Sequence, residues 1–473
     1  MSRRQRLFQW ARTGLAKLID LLLRLEREVR ELRRQVRELK DRLALNSRNS
    51  SKPPSTDGLA KPAPKSLRAK TGRRPGGQPG HPGRTLQPVR QPDQIRVHHL
   101  DRCPCGLCQG RSLRGEAVVD YEKRQVFELP WKPLEVTEHQ AEIKRCPVSG
   151  RLVTAAFPEE AKAPAQYGPR FKAQMVYFNQ QQFIPLDRLT QVCEDLYGQP
   201  LSAATIVAAN QRVYDHLAPF EQAVVAQLPQ APLNHCDESG LRVGKRLHWL
   251  HVVSNARMTF YGVHPKRGVE AMDYFGILPR CKKWIIHDHF KPYFTYKDCL
   301  HALCNEHHLR ELKFLAEEHH EAWAQELSDF LLDCHARRQR QGALGEQAFT
   351  KVLVQYHALL AQGRQRHPRR VGRGPQSKAA NLLNRLEDFD LCVLAFLTDP
   401  VVPFTNNQGE QDIRMEKVRQ KISGCFRTLH GARVFARNRS YISTCRKQGR
   451  NILEALTDAL IGKPLIPVRA KGP

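Results

Sequence analysis

Between Pro232 and Phe290 the sequence changes texture in a way that leaves few folds open. Three apolar-rich runs, LNHCDESGLRV, RLHWLHVVSN and MTFYGVHP, follow at hairpin spacing, then a helix-forming EAMDYFGIL and a strand-like KKWIIHDHF. Three antiparallel strands, a helix and a fourth strand is the order of an RNase H-like core, where residues on neighbouring strands converge at one sheet edge. This order predicts Asp237 near the end of the first strand and Asp288 at the end of the fourth. Both carboxylates can then reach one point.

A third carboxylate from a later helix would complete such a set. Glu410 is the candidate, in VPFTNNQGEQDIRMEKVRQKISG, which opens a helix after a turn. Carboxylates suit phosphoryl transfer because they hold hard Mg²⁺ or Mn²⁺ ions against the attacking and leaving oxygens. Two neighbours compete with these acids. Strand alternation turns Glu238 to the face opposite Asp237, and Asp412 points away from Glu410 because residues two apart on a helix diverge.

The charge balance agrees with a phosphate partner. The 473-residue chain carries a net charge of +29 and a pI near 9.9, an excess that counterion release at nucleic acid explains more economically than a generally basic surface. Arg414, Lys417, Arg419 and Lys421, beside Glu410, are candidate phosphate contacts. Nowhere is there an apolar run long enough to cross a bilayer. The start, MSRRQRLFQWARTG, lacks the apolar core and cleavage site of a secretory signal. The expected compartment is the cytoplasm, at the nucleoid.

Ahead of the strands the chain is modular. Leu18, Leu22, Leu25, Val29, Leu32, Val36, Leu39 and Leu43 keep one apolar seam at alternating steps of four and three. This predicts a parallel two-stranded coil in a homodimer, with Glu28 meeting Arg33 of the partner; the other reading is one amphipathic helix packed on its own domain. A Pro-, Gly-, Ser- and Lys-rich stretch to about residue 94, including RRPGGQPGHPG, reads as a flexible basic linker. Next come Cys103, Cys105 and Cys108, then strand-like QVFELPWKPLEVTEHQAEIKRC ending on Cys146. Two cysteine groups joined by a hairpin would set four soft donors around Zn²⁺. Ser149, however, stands where a second knuckle needs cysteine, so Cys103 or His139 completes the set or the metal is lost. Residues 166–228 read as helices, Ser202 being an N-cap.

Taken together, the leucine-rich helix with NSSKPPSTDG behind it, GGQPGHPG, RQVFELP, VTEH, APAQYGP, HCDES, HDHFKPYF, CNEHHLRELKFL and PFTNNQGEQDIRMEKVRQKISGCFR resemble insertion-sequence-66 family transposases. The likeness runs from about Leu18 to Pro464. It implies a DDE-type transposase whose three acids fall on Asp237, Asp288 and Glu410. It also implies that the cysteine module is a zinc-finger-like region and that accessory proteins of the same element take part. Gly409 departs from the pattern, standing where the family commonly has Ala, which loosens the helix start.

The expected architecture is an α/β multidomain chain. It comprises a coiled-coil helix (1–46), linker (47–94), zinc-finger-like β module (95–165) and helical DNA-binding or linking domain (166–230). An RNase H-like catalytic domain (231–430) carries a helical insertion at about 305–400, and a helical tail (431–473) follows. The expected activity is metal-dependent cleavage of transposon ends and strand transfer into target DNA. The rivals are a decayed, DNA-binding-only element and an RNase H-type nuclease or resolvase. His287, His289, His301, His307 and His308 with Cys304 crowd the second acid. They suggest either a transition-metal site or DNA contacts by His287 and His289. Within the insertion, Arg369, Arg370 and Arg373 are candidate phosphate contacts.

Overall fold

A computed structural model describes residues 3–50, 88–105, 107, 109–127, 134–145, 147–149, 151–158, 161–369 and 376–467. It is a mixed α/β chain that divides into two compact units. One is built from Met1–Pro62 together with Pro158–Pro473, the other from Ala63–Phe157.

The larger unit is organised by a five-stranded sheet of β3 (Leu233–Val243), β4 (Arg246–Ser254), β5 (Thr259–His264), β6 (Trp284–His287) and β7 (Leu300–Leu303), in the order β5-β4-β3-β6-β7. The first three strands are antiparallel, with Asp237 opposite Val252. β6 lies parallel to β3 (His235 opposite Ile286), and β7 extends the parallel half. Helix α6 (Val269–Phe275) makes the crossover. β7 is the strand that the sequence reading lacks: LHAL is four residues long, too short for a period to show.

Alternation sends successive side chains into two different cores. Cys236, Val253 and Phe260 join a cluster with Phe220, Tyr441 and Leu456. Leu241, Val243, Val252 and Tyr261 join a cluster with Ile413 and Phe435 on the other face. The first face is covered by α2 (Pro169–Val176), α4 (Ala203–His216), α5 (Ala218–Gln227) and α14 (Ile452–Leu460), while α3 (Leu186–Tyr197) packs through Leu189 and Cys193 in a smaller cluster with Met175 and Ile206. Ser202 caps α4 as expected, its hydroxyl accepting from Thr205 N at 3.2 Å. The second face carries α12 (Asn407–Ser423) and part of α13 (Leu429–Lys447).

Among the described residues, five helices stand between β7 and α12: α7 (Asn305–His319), α8 (Ala322–Gln341), α9 (Glu346–Arg366), α10 (Lys378–Asp388) and α11 (Asp390–Thr398). They close their own core around Trp323, Leu327, Tyr356, Leu383 and Phe396 and share it with Ile286 and Leu303 of the sheet. Arg370 and Arg373 lie outside the described residues, while Arg369 pairs with Asp388 at 2.9 Å.

Helix α1 (Arg3–Ala44) is 42 residues long. Its seam is exposed, from 44% at Val29 to 86% at Leu43. At its end, Ala44 and Leu45 pack on the core of these five helices, and Asp41 meets His319 at 3.0 Å and Lys378 at 3.5 Å.

In the smaller unit, β1 (Ile143–Arg145) and β2 (Leu152–Thr154) form an antiparallel pair. Of the run expected to be a hairpin, the described residues 125–127 and 134–142 form no strand, and 143–145 are β1. A single bridge, Arg102 to Ser112, ties the first cysteine group, with Cys103 N donating to Arg111 O at 3.0 Å. Cys108 and Cys146 lie outside the described residues, as does most of the linker.

Candidate active site

Parity along β3 decides which acids can meet. Asp237 shares its face with Leu241 and Val243, the face on which α12 packs through Ile413. Cys236 faces the opposite core, and Glu238 follows it. Asp237 is the fifth residue of an eleven-residue strand, so it stands in mid-strand rather than near the end. Asp288 follows the last residue of β6, the strand hydrogen-bonded beside β3. Glu410 lies in the first turn of α12. All three are partly buried.

Their charges interact. Burial first, then Glu238, Asp288 and more weakly Glu410, push the Asp237 carboxyl well above the usual carboxylate range. Such mutual repulsion among hard oxygen donors is the condition a divalent cation relieves.

Glu238 is held separately. Its carboxylate accepts from Tyr293 Oη at 2.6 Å and from Arg267 at 2.7 and 2.9 Å. The Arg267 guanidinium lies over Phe290, 4.0 Å from the ring centroid. Burial, and next the charge of Asp288, raise Glu238 to about 7. The network therefore braces the strand beside the site and the turn after Asp288. In that turn Phe290 N donates to Asp288 Oδ1 at 3.0 Å and His289 N to His287 Nδ1 at 3.2 Å. His289 takes φ +74°, a left-handed conformation sparsely occupied by residues other than glycine.

His287 is fully enclosed, stacked on Tyr293 and bonded to His301 at 3.1 Å, and burial drives its imidazole well below the usual range. The expected DNA contact by His287 is therefore replaced by a core role. Strand parity sends it inward while Asp288, one residue on, emerges.

Glu410 is positioned by its neighbour Asn406. That side chain bonds His235 Nδ1 at 2.8 Å and donates to Cys236 O at 2.8 Å, pinning the start of α12 to β3. A Cβ on Gly409 would stand 2.9 Å from Asn406 Oδ1 and 3.0 Å from Nδ2. The glycine thus makes room for this bracket as well as loosening the helix. In an open helix Ala is the better former by about 1 kcal/mol. Here Gly409→Ala is expected to lower the thermal midpoint, since the amide must move off His235. A rise in the midpoint would show that Asn406 yields freely.

On the other side of Glu410, Cys304 caps α7 and His307 follows in its first turn. Cys304 Sγ lies 3.8 Å and His307 Nδ1 3.7 Å from Glu410 Oε1. Among the described residues, these three donors form the one set of His, Cys, Asp or Glu ligand atoms within 4.8 Å of one another. The three acids are more widely spread.

The family model for the Transposase IS66 family matches residues 164–434. The chain belongs to the IS66 transposase family. The match takes in the whole five-stranded sheet, all three acids and the helices between them. A Family of unknown function (DUF6444) matches residues 5–87. No curated protein matches the chain.

An IS66-family transposase must hold DNA, and α12 offers cations for it unevenly. Arg414, Lys417 and Lys421 are exposed, Lys417 donating to Gly240 O at 3.0 Å. Arg419 is turned inward, contrary to expectation. Its side chain is 12% exposed, stacked 3.4 Å over Phe426 and donating to Gly424 O at 3.1 Å. A phosphate contact by Arg419 would require that packing to open. Asp412 is likewise committed, to Lys447 at 2.7 Å, which leaves Glu410 as the acid of this helix available to the site. Sequence reasoning missed Asn406 and Arg267 as positioning residues. The NN pair four residues ahead of Glu410 was a signal for Asn406. Nothing local marked Arg267. No helix among the described residues is long and apolar enough to cross a membrane.

Proposed function

We propose that the chain is a DDE transposase with an RNase H-like catalytic core, in which Asp237, Asp288 and Glu410 hold divalent cations. One observation carries this reading. Acids more than 170 positions apart at the extremes are gathered by parity on β3, the end of β6 and the first turn of α12, and the charges of Asp288 and, more weakly, Glu410 help burial and Glu238 push up the Asp237 carboxyl. The sheet order, antiparallel then parallel around β3, supports the fold assignment.

The donor set fits Mg²⁺ or Mn²⁺, being all carboxylate oxygen. Bound there, the ions would stabilise the attacking and leaving oxygens of an in-line phosphoryl displacement. Asp237 contributes from a rigid mid-strand position, and Asp288 from a turn fixed by its bond to Phe290 N. Glu410 contributes from a helix start anchored by Asn406. Water cleaves at the transposon end and leaves a 3′-hydroxyl, which attacks a target phosphodiester. No covalent protein–DNA intermediate is required. Exposed Arg414, Lys417 and Lys421 supply sequence-independent phosphate contacts.

The exposed seam of α1 supports a homodimer through a parallel coil, working at the nucleoid with accessory proteins of the same element. Zinc in the smaller unit would be held by Cys103, Cys105, Cys108 and Cys146.

In the deciding experiment, Asp288→Ala abolishes Mg²⁺-dependent cleavage of terminal inverted repeats while DNA affinity is retained. Undiminished cleavage sinks the proposal. Wild-type protein that binds repeats without Mg²⁺-dependent cleavage would indicate a decayed element, and preference for RNA–DNA hybrid a nuclease.

A further inference from the structure

We infer that Cys304, His307 and Glu410 form a second metal site, for a soft or borderline divalent ion of the Zn²⁺ class, that competes for the third catalytic acid. The competition rests on the role of Glu410 proposed above; the binding does not.

The ligands come together for reasons of local geometry. Cys304 is the N-cap of α7 and His307 stands three residues on, the spacing at which a cap side chain and its partner meet over the first turn. Glu410 enters from the start of α12, which is drawn against this cap by Asn406 N donating to Cys304 Sγ at 3.2 Å. Tetrahedral coordination at ordinary zinc bond lengths puts sulfur and oxygen ligands about 3.5 Å apart and nitrogen and oxygen about 3.3 Å. The observed 3.8 and 3.7 Å need only a few tenths of an ångström of closure.

The site is also chemically unfinished. His307 Nδ1 is buried with no hydrogen-bond partner, although Glu410 Oε1 stands 3.7 Å away, beyond bonding distance. A buried imidazole nitrogen without a partner is costly, and a cation between the three donors would satisfy it. Sulfur, imidazole and one carboxylate form a donor set suited to Zn²⁺ or Co²⁺ rather than Mg²⁺. Three protein ligands leave the fourth position open to water or a DNA phosphate oxygen. Neither Asp237 nor Asp288 belongs to this set, so an ion held here takes Glu410 away from the pair.

The test is titration of the full chain with Co²⁺, read by its thiolate-to-metal charge-transfer absorption and followed by displacement with Zn²⁺. A band is expected in wild type and in the Cys103→Ser/Cys105→Ser double variant, which removes signal from the other cysteine group. In that double-variant background the band is expected to vanish when Cys304→Ser is added, and affinity to fall at least ~100-fold when His307→Ala is added. A band unchanged when Cys304→Ser is added to the double variant, or already lost in the double variant, overturns the site. Circular dichroism melts establish that each variant is folded, and His307→Ala decides should Cys304→Ser not fold. For competition, Zn²⁺ is titrated into Mg²⁺-driven end cleavage, each variant normalised to its own zinc-free rate. Inhibition should be strong in wild type and weaker by ~10-fold or more in His307→Ala; equal inhibition overturns the competition. Absence of Mg²⁺-driven cleavage in wild type would refute the transposase reading and leave the Co²⁺ result standing.

Discussion

Asp237→Asn is expected to lose Mg²⁺-dependent end cleavage by at least ~10³-fold, several kcal/mol of transition-state stabilisation, while the metal-free protein becomes more stable. Both effects come from one side chain. Asn fits the same space but cannot carry the charge that holds a cation. In the metal-free fold that charge is a burden: burial, then Glu238, Asp288 and Glu410, raise the Asp237 carboxyl well above the ordinary carboxylate value. The sign follows from proton linkage. A carboxyl whose folded pKa lies above its unfolded pKa binds more protons when folded, so its stability contribution is lost as pH rises through the folded value. The advantage of Asp237→Asn should therefore grow with pH in thermal melts without metal. Adding Mg²⁺ should raise the midpoint of wild type and not that of the variant. Cleavage at the wild-type rate would remove Asp237 from the site and the proposed mechanism with it.

Glu416→Gln carries the largest stability effect expected away from the chemistry. Glu416 is fully buried on α12, its nearest charge the Arg419 guanidinium at 3.8 Å. Burial raises its carboxyl from 4.5 to about 7. Below the unfolded value both states are protonated and the group costs nothing. Above about 7 the folded state carries a buried carboxylate, a difference of about 3 kcal/mol at 1.36 kcal/mol per pKa unit. Wild type should therefore lose about 3 kcal/mol of stability from this group between about pH 5 and pH 8. Glu416→Gln should remove that part of the slope, as measured by urea unfolding at the two pH values. An unchanged slope would show that the carboxylate finds solvent or a better partner. Since Glu416 and Glu410 share a helix, the variant also tests whether the acid end of α12 tolerates change at its middle.

Much of this was legible along the chain because it depends on neighbours in sequence. Alternation in LNHCDESGLRV set Asp237 and Glu238 on opposite faces. The run KKWIIHDHF announced a strand with Asp288 at its end, Ser202 announced a cap, and a turn before NQGEQDI announced the helix that carries Glu410. Each is a statement about backbone period or capping, and these are local properties. The family resemblance added the roles.

Tertiary structure decided what depends on partners far away in sequence. His235 and Asn406 are 171 positions apart, and their bond sets where Glu410 stands. Arg267 and Tyr293 claim Glu238. His287 and Arg419 have the side chains of surface contacts, but packing against Tyr293 and Phe426 takes them inside. The same holds for the acids with which the sequence began. The chain shows that three carboxylates are present on elements able to converge. Only the packing of α12 on one face of β3 brings Glu410 to Asp237, and with the same movement sets it against Cys304 and His307. Period and capping act within a few residues, whereas burial and charge respond to whatever the completed fold puts nearby.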